Sequence, residues 1–221
     1  ITCRDWSSDV CSSDLPLTFS GVSNLQLPSL LYKIDPESLF YYSYAVLWAP
    51  TYRQRYDEFL RKSYPGIPFP KNKQLYDDLA LLGKKLASAH LLEMSISPQL
   101  EPSDIQADDW IIGDIMFHPT EQRLYFDSLK KSAKSPAKQR IIPSIGGITQ
   151  EIWDFSIGGI PQLEQFLKSR QYNPSRKWNS LSRSLNHSEL LYFLKICTAI
   201  QETLKILPLI DEKYCKIDDL D

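Results

Sequence analysis

Residues 109–129 read DWIIGDIMFHPTEQRLYFDSL. Two short runs rich in β-branched and aromatic residues, DWIIGDIMFHP and QRLYFDSL, flank a turn at Pro119-Thr120-Glu121. Runs of this length and composition on either side of a turn signal predict a β-hairpin at about 111–128. The following IIPSI, Ile141–Ile145, supplies a returning strand. This central block decides the fold, because everything else in the chain with a clear period is helical.

Upstream, Asp35 is placed to cap a helix that begins at Pro36, with Glu37 and Ser38 in its first turn. Leu39, Tyr42, Val46 and Leu47 form its apolar face. Pro50 ends or kinks it. Tyr52, Tyr56, Phe59 and Leu60 mark a second amphipathic helix that stops before Pro65-Gly66, and PGIPFP is a stiff extended segment. Leu75, Leu79, Leu82, Leu86 and Ala89 then fall at three- and four-residue steps, predicting a third helix over 75–92. Downstream, Gly158-Gly159 is a turn, followed by a short helix with Leu163, Phe166 and Leu167 inward. Asn186 caps the longest helix, from His187 to about Tyr214. Its predicted stripe is Leu190, Leu194, Cys197, Ile200, Leu204 and Leu207, and Pro208 should kink it. The fold class that follows is α+β: helix-rich, with a small antiparallel sheet in the middle and a long C-terminal helix.

The chain has 221 residues, 25 basic and 27 acidic, with four cysteines. Its first residues do not resemble a secretory signal, having one Arg, three Asp and no apolar run. Asp5–Leu15, DWSSDVCSSDL, back-translates to a sequence resembling a sequencing-library index adapter read in one frame. Residues 1–15 are therefore expected to be an artefact without structure, and 16–221 a single domain cut from a longer protein. Without that leader the charges balance at 24 of each sign, and two cysteines remain, Cys197 and Cys215. This points to a reduced, cytoplasmic protein. No CxxC occurs and three scattered His complete no ligand set, so no metal site is expected. No apolar run approaches the roughly 20 residues needed to cross a membrane.

Catalytic chemistry finds no foothold. NPSR, Asn173–Arg176, lacks the second Pro and the aromatic residue of a base-holding loop and reads as an Asn-Pro turn. The two SIGG segments, at 144–147 and 156–159, have neither phosphate-loop spacing. His90 reads as a core or edge residue, and no nucleophile stands in line with any His. The basic segments are more informative. Lys130, Lys131, Lys134, Lys138 and Arg140 occur with no acid among them, with Gln139 beside Arg140. Between Gln165 and Ser188, Lys168, Arg170, Arg176, Lys177 and Arg183 also stand unopposed. Converging on one face, these would neutralise phosphates and offer Arg and Gln to base edges. Trp153, Phe155 and Gly158-Gly159 between them read as scaffold.

GITQEIWDFSIGGIPQLEQFLKSR (147–170) with LLYFLKICTAIQETLKILPLIDEKY (190–214), and YYSYAVLWAPTYRQRYDEFLRKSYPGIPFP (41–70) with LALLGKKLASAHLLE (79–93), carry a further signal. Together they resemble the C-terminal specificity domain of type ISP restriction-modification enzymes and large adenine-specific DNA methyltransferases. The resemblance implies a target-recognition domain. Such a domain grips double-stranded DNA so that an upstream methyltransferase domain of the same polypeptide can methylate adenine N6 from S-adenosylmethionine. It implies no cofactor and no catalytic residue in this chain. Ile160-Pro161 after the Gly pair and the long 171–186 segment depart from the family pattern and leave the target sequence open. The alternative is a helical protein–protein docking module presenting the aromatic helix at 39–60, without DNA contact.

Overall fold

Asp35 opens the first helix as its position predicts. Its carboxylate accepts the Ser38 N–H at 3.1 Å, and Pro36 takes the first helical position of α1, Pro36–Trp48. The computed structural model describes residues 34–62, 64–103, 109–110, 112–127, 143–171 and 185–218, with backbone alone at 109, 110, 127 and 218. The leader at 1–15 lies outside the described residues.

Ala49 breaks the helix because Pro50 has no N–H to continue it, and Pro50 starts α2, Pro50–Arg55. The single second helix expected from Tyr52 to Leu60 is in fact two, since Tyr56 leaves helical geometry and α3 is only Asp57–Leu60. The Pro-rich segment after it is fastened to the helices by two phenols. Tyr52 donates to the Gly66 carbonyl at 2.9 Å, and Tyr42 donates to the Pro68 carbonyl. Asn72 then caps α4, Lys73–His90, through the Gln74 N–H at 2.9 Å. α1 lies so close on α4 that a Cβ added at Gly83 would sit 1.9 Å from the Tyr41 carbonyl oxygen. Glycine is therefore required there for the helices to meet.

The hairpin forms as predicted. β3, Asp114–His118, pairs with β4, Arg123–Asp127, in an antiparallel register that sets Ile115 against Phe126 and Phe117 against Leu124. β5, Ser144–Gly146, returns beside β4, and β1, Glu101–Pro102, adds beyond it, giving the order β1-β5-β4-β3. Alternation puts Leu124, Phe126 and Ile145 inward, all fully buried, while Met116 faces out. β2, Asp109–Trp110, pairs separately with β8, Leu185–Asn186. α5, Gln150–Trp153, starts on a Thr149 cap and stacks Trp153 on Phe117 at 5.3 Å. The short strands β6, Ser156–Ile157, and β7, Ile160–Pro161, turn at Gly158 and Gly159, both with positive φ, as two-residue hairpins require. α6, Gln162–Lys168, buries Leu163 and Leu167.

The last helix, α7, organises the whole. It runs His187–Asp218, with the Asn186 side chain accepting the Glu189 N–H at 2.9 Å, and it passes through Pro208 without ending. Its 32 residues span roughly 48 Å at about 1.5 Å each. The first half packs Leu190, Phe193, Leu194, Cys197 and Ile200 into the core under the sheet. The second half packs Ile206, Ile210, Tyr214 and Ile217 into a second core with α1, α2 and α4. The predicted stripe holds up to Ile200 and then departs. Leu204 and Leu207 are only half-buried, because the partner changes from sheet to helices and the buried face rotates with it.

A polar belt marks the changeover. Thr198 accepts the Ser97 N–H at 3.0 Å, and Gln201 donates to the Gln99 side chain. Thr203 donates to the Ala199 carbonyl at 2.7 Å and lies 3.0 Å from His90 Nε2. With its proton spent on Ala199, Thr203 accepts from Nε2–H. His90 Nδ1 is then left to accept the Tyr44 hydroxyl at 2.6 Å. His90 is thus a satisfied edge residue, neutral in this network, and burial holds its pKa below the ordinary value. In the first core, burial pushes the Cys197 thiol pKa up. Ile34–Asp221 forms one compact unit.

Candidate nucleic-acid interface

The segment 128–142 holds Lys130, Lys131, Lys134, Lys138, Gln139 and Arg140 and lies outside the described residues. Its two roots are described. It leaves from the end of β4 and returns at Pro143, and these are already neighbours in the sheet, with the Phe126 N–H bonded to the Pro143 carbonyl at 2.9 Å. The segment is therefore closed at its base by a strand pair.

The segment 172–184 holds Arg176, Lys177 and Arg183 and also lies outside the described residues. It leaves after Gln171, whose side-chain amide donates to the Gly113 carbonyl at 2.9 Å. It returns at Leu185, which pairs with Trp110. Gly113 directly precedes β3, whose first residue, Asp114, stands opposite Asp127, the last residue of β4. Both basic segments are thus rooted at the same end of the sheet, around 110–114, Asp127, Pro143, Gln171 and Leu185. The opposite end holds the turn at 119–122, where the Ile148 N–H bonds the Gln122 carbonyl at 2.9 Å.

Lys168 and Arg170 are described, and neither is unopposed, which corrects the sequence expectation. Lys168 pairs with Glu164 at 2.7 Å, one helical turn back. Arg170 meets Glu189, at the start of α7, at 3.1 Å, and its guanidinium lies 3.7 Å over the Phe166 ring. Both acids fall outside or at the edge of the sequence window in which cations look unopposed, and only the helix period and the α6–α7 contact bring them in. An exposed pair such as Lys168–Glu164 contributes little, so Lys168 is readily drawn to another anion. Arg170 instead pins α6 to α7, with a further hydrogen bond to the Phe166 carbonyl at 3.2 Å.

Sequence reading also passed over Gln171, whose anchoring role has no local signal, and Arg123. The Arg123 guanidinium lies across Gly146, where an added Cβ would sit 2.7 Å away, and it hydrogen-bonds Ser144 Oγ at 3.2 Å. Trp153 and Phe155 pack against the first core as the scaffold reading requires. Among the described residues no group of three or more His, Cys, Asp or Glu could hold a metal ion. None of their helices is long and apolar enough to cross a membrane.

The family model of the Type ISP C-terminal specificity domain matches residues 17–206. No curated protein matches. Among solved structures, the chain is similar to a nuclease-deletion mutant of the Type ISP restriction-modification enzyme LlaGI in complex with a DNA substrate mimic. There the identity is 23% and the TM-score 0.55, covering 79% of this chain and 14% of that one. It is also similar to DrdV in a DNA complex, at 20% identity and TM-score 0.58, covering 80% and 18%. A third is the ATP-dependent Type ISP restriction-modification enzyme LlaBIII bound to DNA, at 21% identity and TM-score 0.55, covering 81% and 11%. At these identities the likeness is one of fold, and the chain spans less than a fifth of each of those proteins.

Proposed function

The chain belongs to the Type ISP C-terminal specificity domain family, and we propose from that membership that it is a recognition module for double-stranded DNA. The observation that carries this reading is the common root of its two basic segments. Segments 128–142 and 172–184 spring from one end of the sheet, so their cations act on the same stretch of an anionic partner. Lys130, Lys131, Lys134, Lys138, Arg140, Arg176, Lys177 and Arg183 contact phosphates, with Lys168 at the margin. Gln139 and Arg140 are the side chains suited to base edges. Arg170 positions α6 rather than touching DNA. The similar structures, all of DNA-bound proteins, support this reading.

The module works as part of a larger cytoplasmic restriction-modification enzyme. An upstream methyltransferase domain of the same polypeptide binds S-adenosylmethionine and methylates adenine N6 at the site this module selects. The module's own part is to hold the duplex in register.

Duplex binding by the chain, followed by fluorescence anisotropy from low to high salt, tests the proposal. Affinity is expected to fall steeply with salt, the logarithmic slope being roughly 0.9 per phosphate contact. Lys130→Glu with Lys131→Glu and Lys134→Glu should weaken it at least tenfold, and selection from a randomised duplex pool should enrich one site. Absent or salt-independent binding would sink the proposal.

A further inference from the structure

A second basic surface lies on the helical half of the molecule, among the residues that pack with the second half of α7. Between Pro50 and Lys73 the chain carries six basic residues, Arg53, Arg55, Arg61, Lys62, Lys71 and Lys73, against two acidic ones, Asp57 and Glu58. Arg61 pairs with Asp57 at 2.9 Å and Lys73 with Asp77 at 2.5 Å, exposed i,i+4 pairs of small worth that another anion can replace. The chain as a whole has a net charge of −2, so this local excess is not inherited from composition. The structure turns the stretch outward. Residues 53–55, 57–59, 61–62 and 64–66 are exposed. Two large aromatics stand among the cations, Phe59 at 67% exposure and Tyr64 at 98%. Tyr64 is held out by its surroundings, because the extended segment that follows is tied down at Gly66 by Tyr52 and at Pro68 by Tyr42. Arg53 stacks over Trp48 at 5.4 Å, which fixes its guanidinium at the surface.

Resting on the DNA-recognition reading above, we infer that this α2–α3 surface is a second duplex contact, gripping phosphates that flank the recognised site. Charge selects the occupant: a net excess of cations interleaved with exposed aromatics suits a polyanion with π-faced or sugar surfaces better than an apolar protein groove. Position along α7 sets how far the contact reaches. β8 ends at Asn186, where α7 is capped, and α2 is bonded to α7 at Asp211. That interval of helix is roughly 36 Å at about 1.5 Å per residue. It corresponds to about one turn of DNA, ~10 base pairs at ~3.4 Å each. The grip is non-specific and adds affinity only when the duplex is long enough to reach both surfaces.

The test uses the full chain and two duplexes, on the order of 8 and 40 base pairs at ~3.4 Å each, so that only the longer one exceeds the interval. Arg53→Glu with Lys62→Glu alters two exposed positions, and melting checks that the fold is intact. The expected result is a five- to twentyfold loss of affinity for the long duplex with little change for the short one. The salt slope on the long duplex should fall by about two, one for each lost phosphate contact. Tyr64→Ser should weaken long-duplex binding without changing the slope. If the double variant binds both duplexes as the parent does while the Lys130, Lys131, Lys134 variant weakens both, the second contact is overturned. The recognition reading then stands, and the exposed aromatics mark a protein partner instead. If neither variant changes binding, the recognition reading itself fails and the second contact falls with it.

Discussion

Asp211, deep in α7, caps α2 from outside: its carboxylate accepts the Thr51 N–H at 2.8 Å and the Thr51 hydroxyl at 2.8 Å. Ala49, the residue in the capping position, has no side chain able to do so. The last helix thereby supplies the start of the second with the acceptor its own sequence lacks, and an acid there also suits the positive end of the helix. Asp211→Ala should cost about 1–2 kcal/mol, the range for a lost N-cap. Asp211→Asn should recover part of it, because the amide oxygen still accepts from the backbone. Urea unfolding of the three proteins measures this, and an alanine variant as stable as the parent would refute the cap.

Gly83 carries the crossing of α1 and α4. Alanine is the better helix former by about 1 kcal/mol, yet Gly83→Ala must push the helices apart against the Tyr41 carbonyl. The expected net effect is a loss of about 1–3 kcal/mol, typical of overpacking. Gly66→Ala is the control, since a Cβ there meets nothing within 4 Å. Thermal melts should separate the two by several degrees.

Gln171 ties one basic segment to the root of the other. Gln171→Glu keeps the length of the side chain but removes the donor to the Gly113 carbonyl. Duplex affinity is expected to fall several-fold, with the loss of stability limited to about 1 kcal/mol, the worth of one hydrogen bond. Affinity and melting measured on the same preparation decide it; unchanged binding would remove the anchor from the functional account.

His90 gives a pH dependence whose sign is fixed. Burial lowers its folded pKa below the ordinary histidine value, so protonation favours the unfolded chain. The network with Tyr44 and Thr203 is intact above about pH 6.5, the unfolded value. Stability is lost as the pH falls from there through the folded pKa. His90→Gln should flatten that part of the stability profile, which denaturant titrations at pH 7.5 and 5.5 would show.

Local signals in the chain were legible because they act over a few residues. Asp35 and Asn186 start helices, because each side chain accepts the N–H of the residue three positions ahead. Pro50 breaks α1 because it has none to give, and Gly158-Gly159 turns β6 into β7 because both need positive φ. The hairpin at 114–127 follows from the composition of its strands. The same locality explains the failures. The cations at 168 and 170 look unopposed in a linear window, yet Glu164 and Glu189 answer them through a helix turn and a tertiary contact. The α2–α3 split at Tyr56 is a local backbone choice that apolar spacing does not encode.

The amino-acid sequence by itself determined the elements, the α+β class and the family, since capping, turn chemistry, periodicity and motif order are all written within short stretches. Tertiary structure alone decided how α7 divides between two cores, because the rotation of its buried face follows from which partners lie beside it. It also decided that Gln171 closes on Gly113 and Asp211 on Thr51, at separations of 58 and 160 residues. Contacts between residues so far apart in the chain depend on packing that brings otherwise independent segments to one place, and the common root of the two basic segments is of that kind.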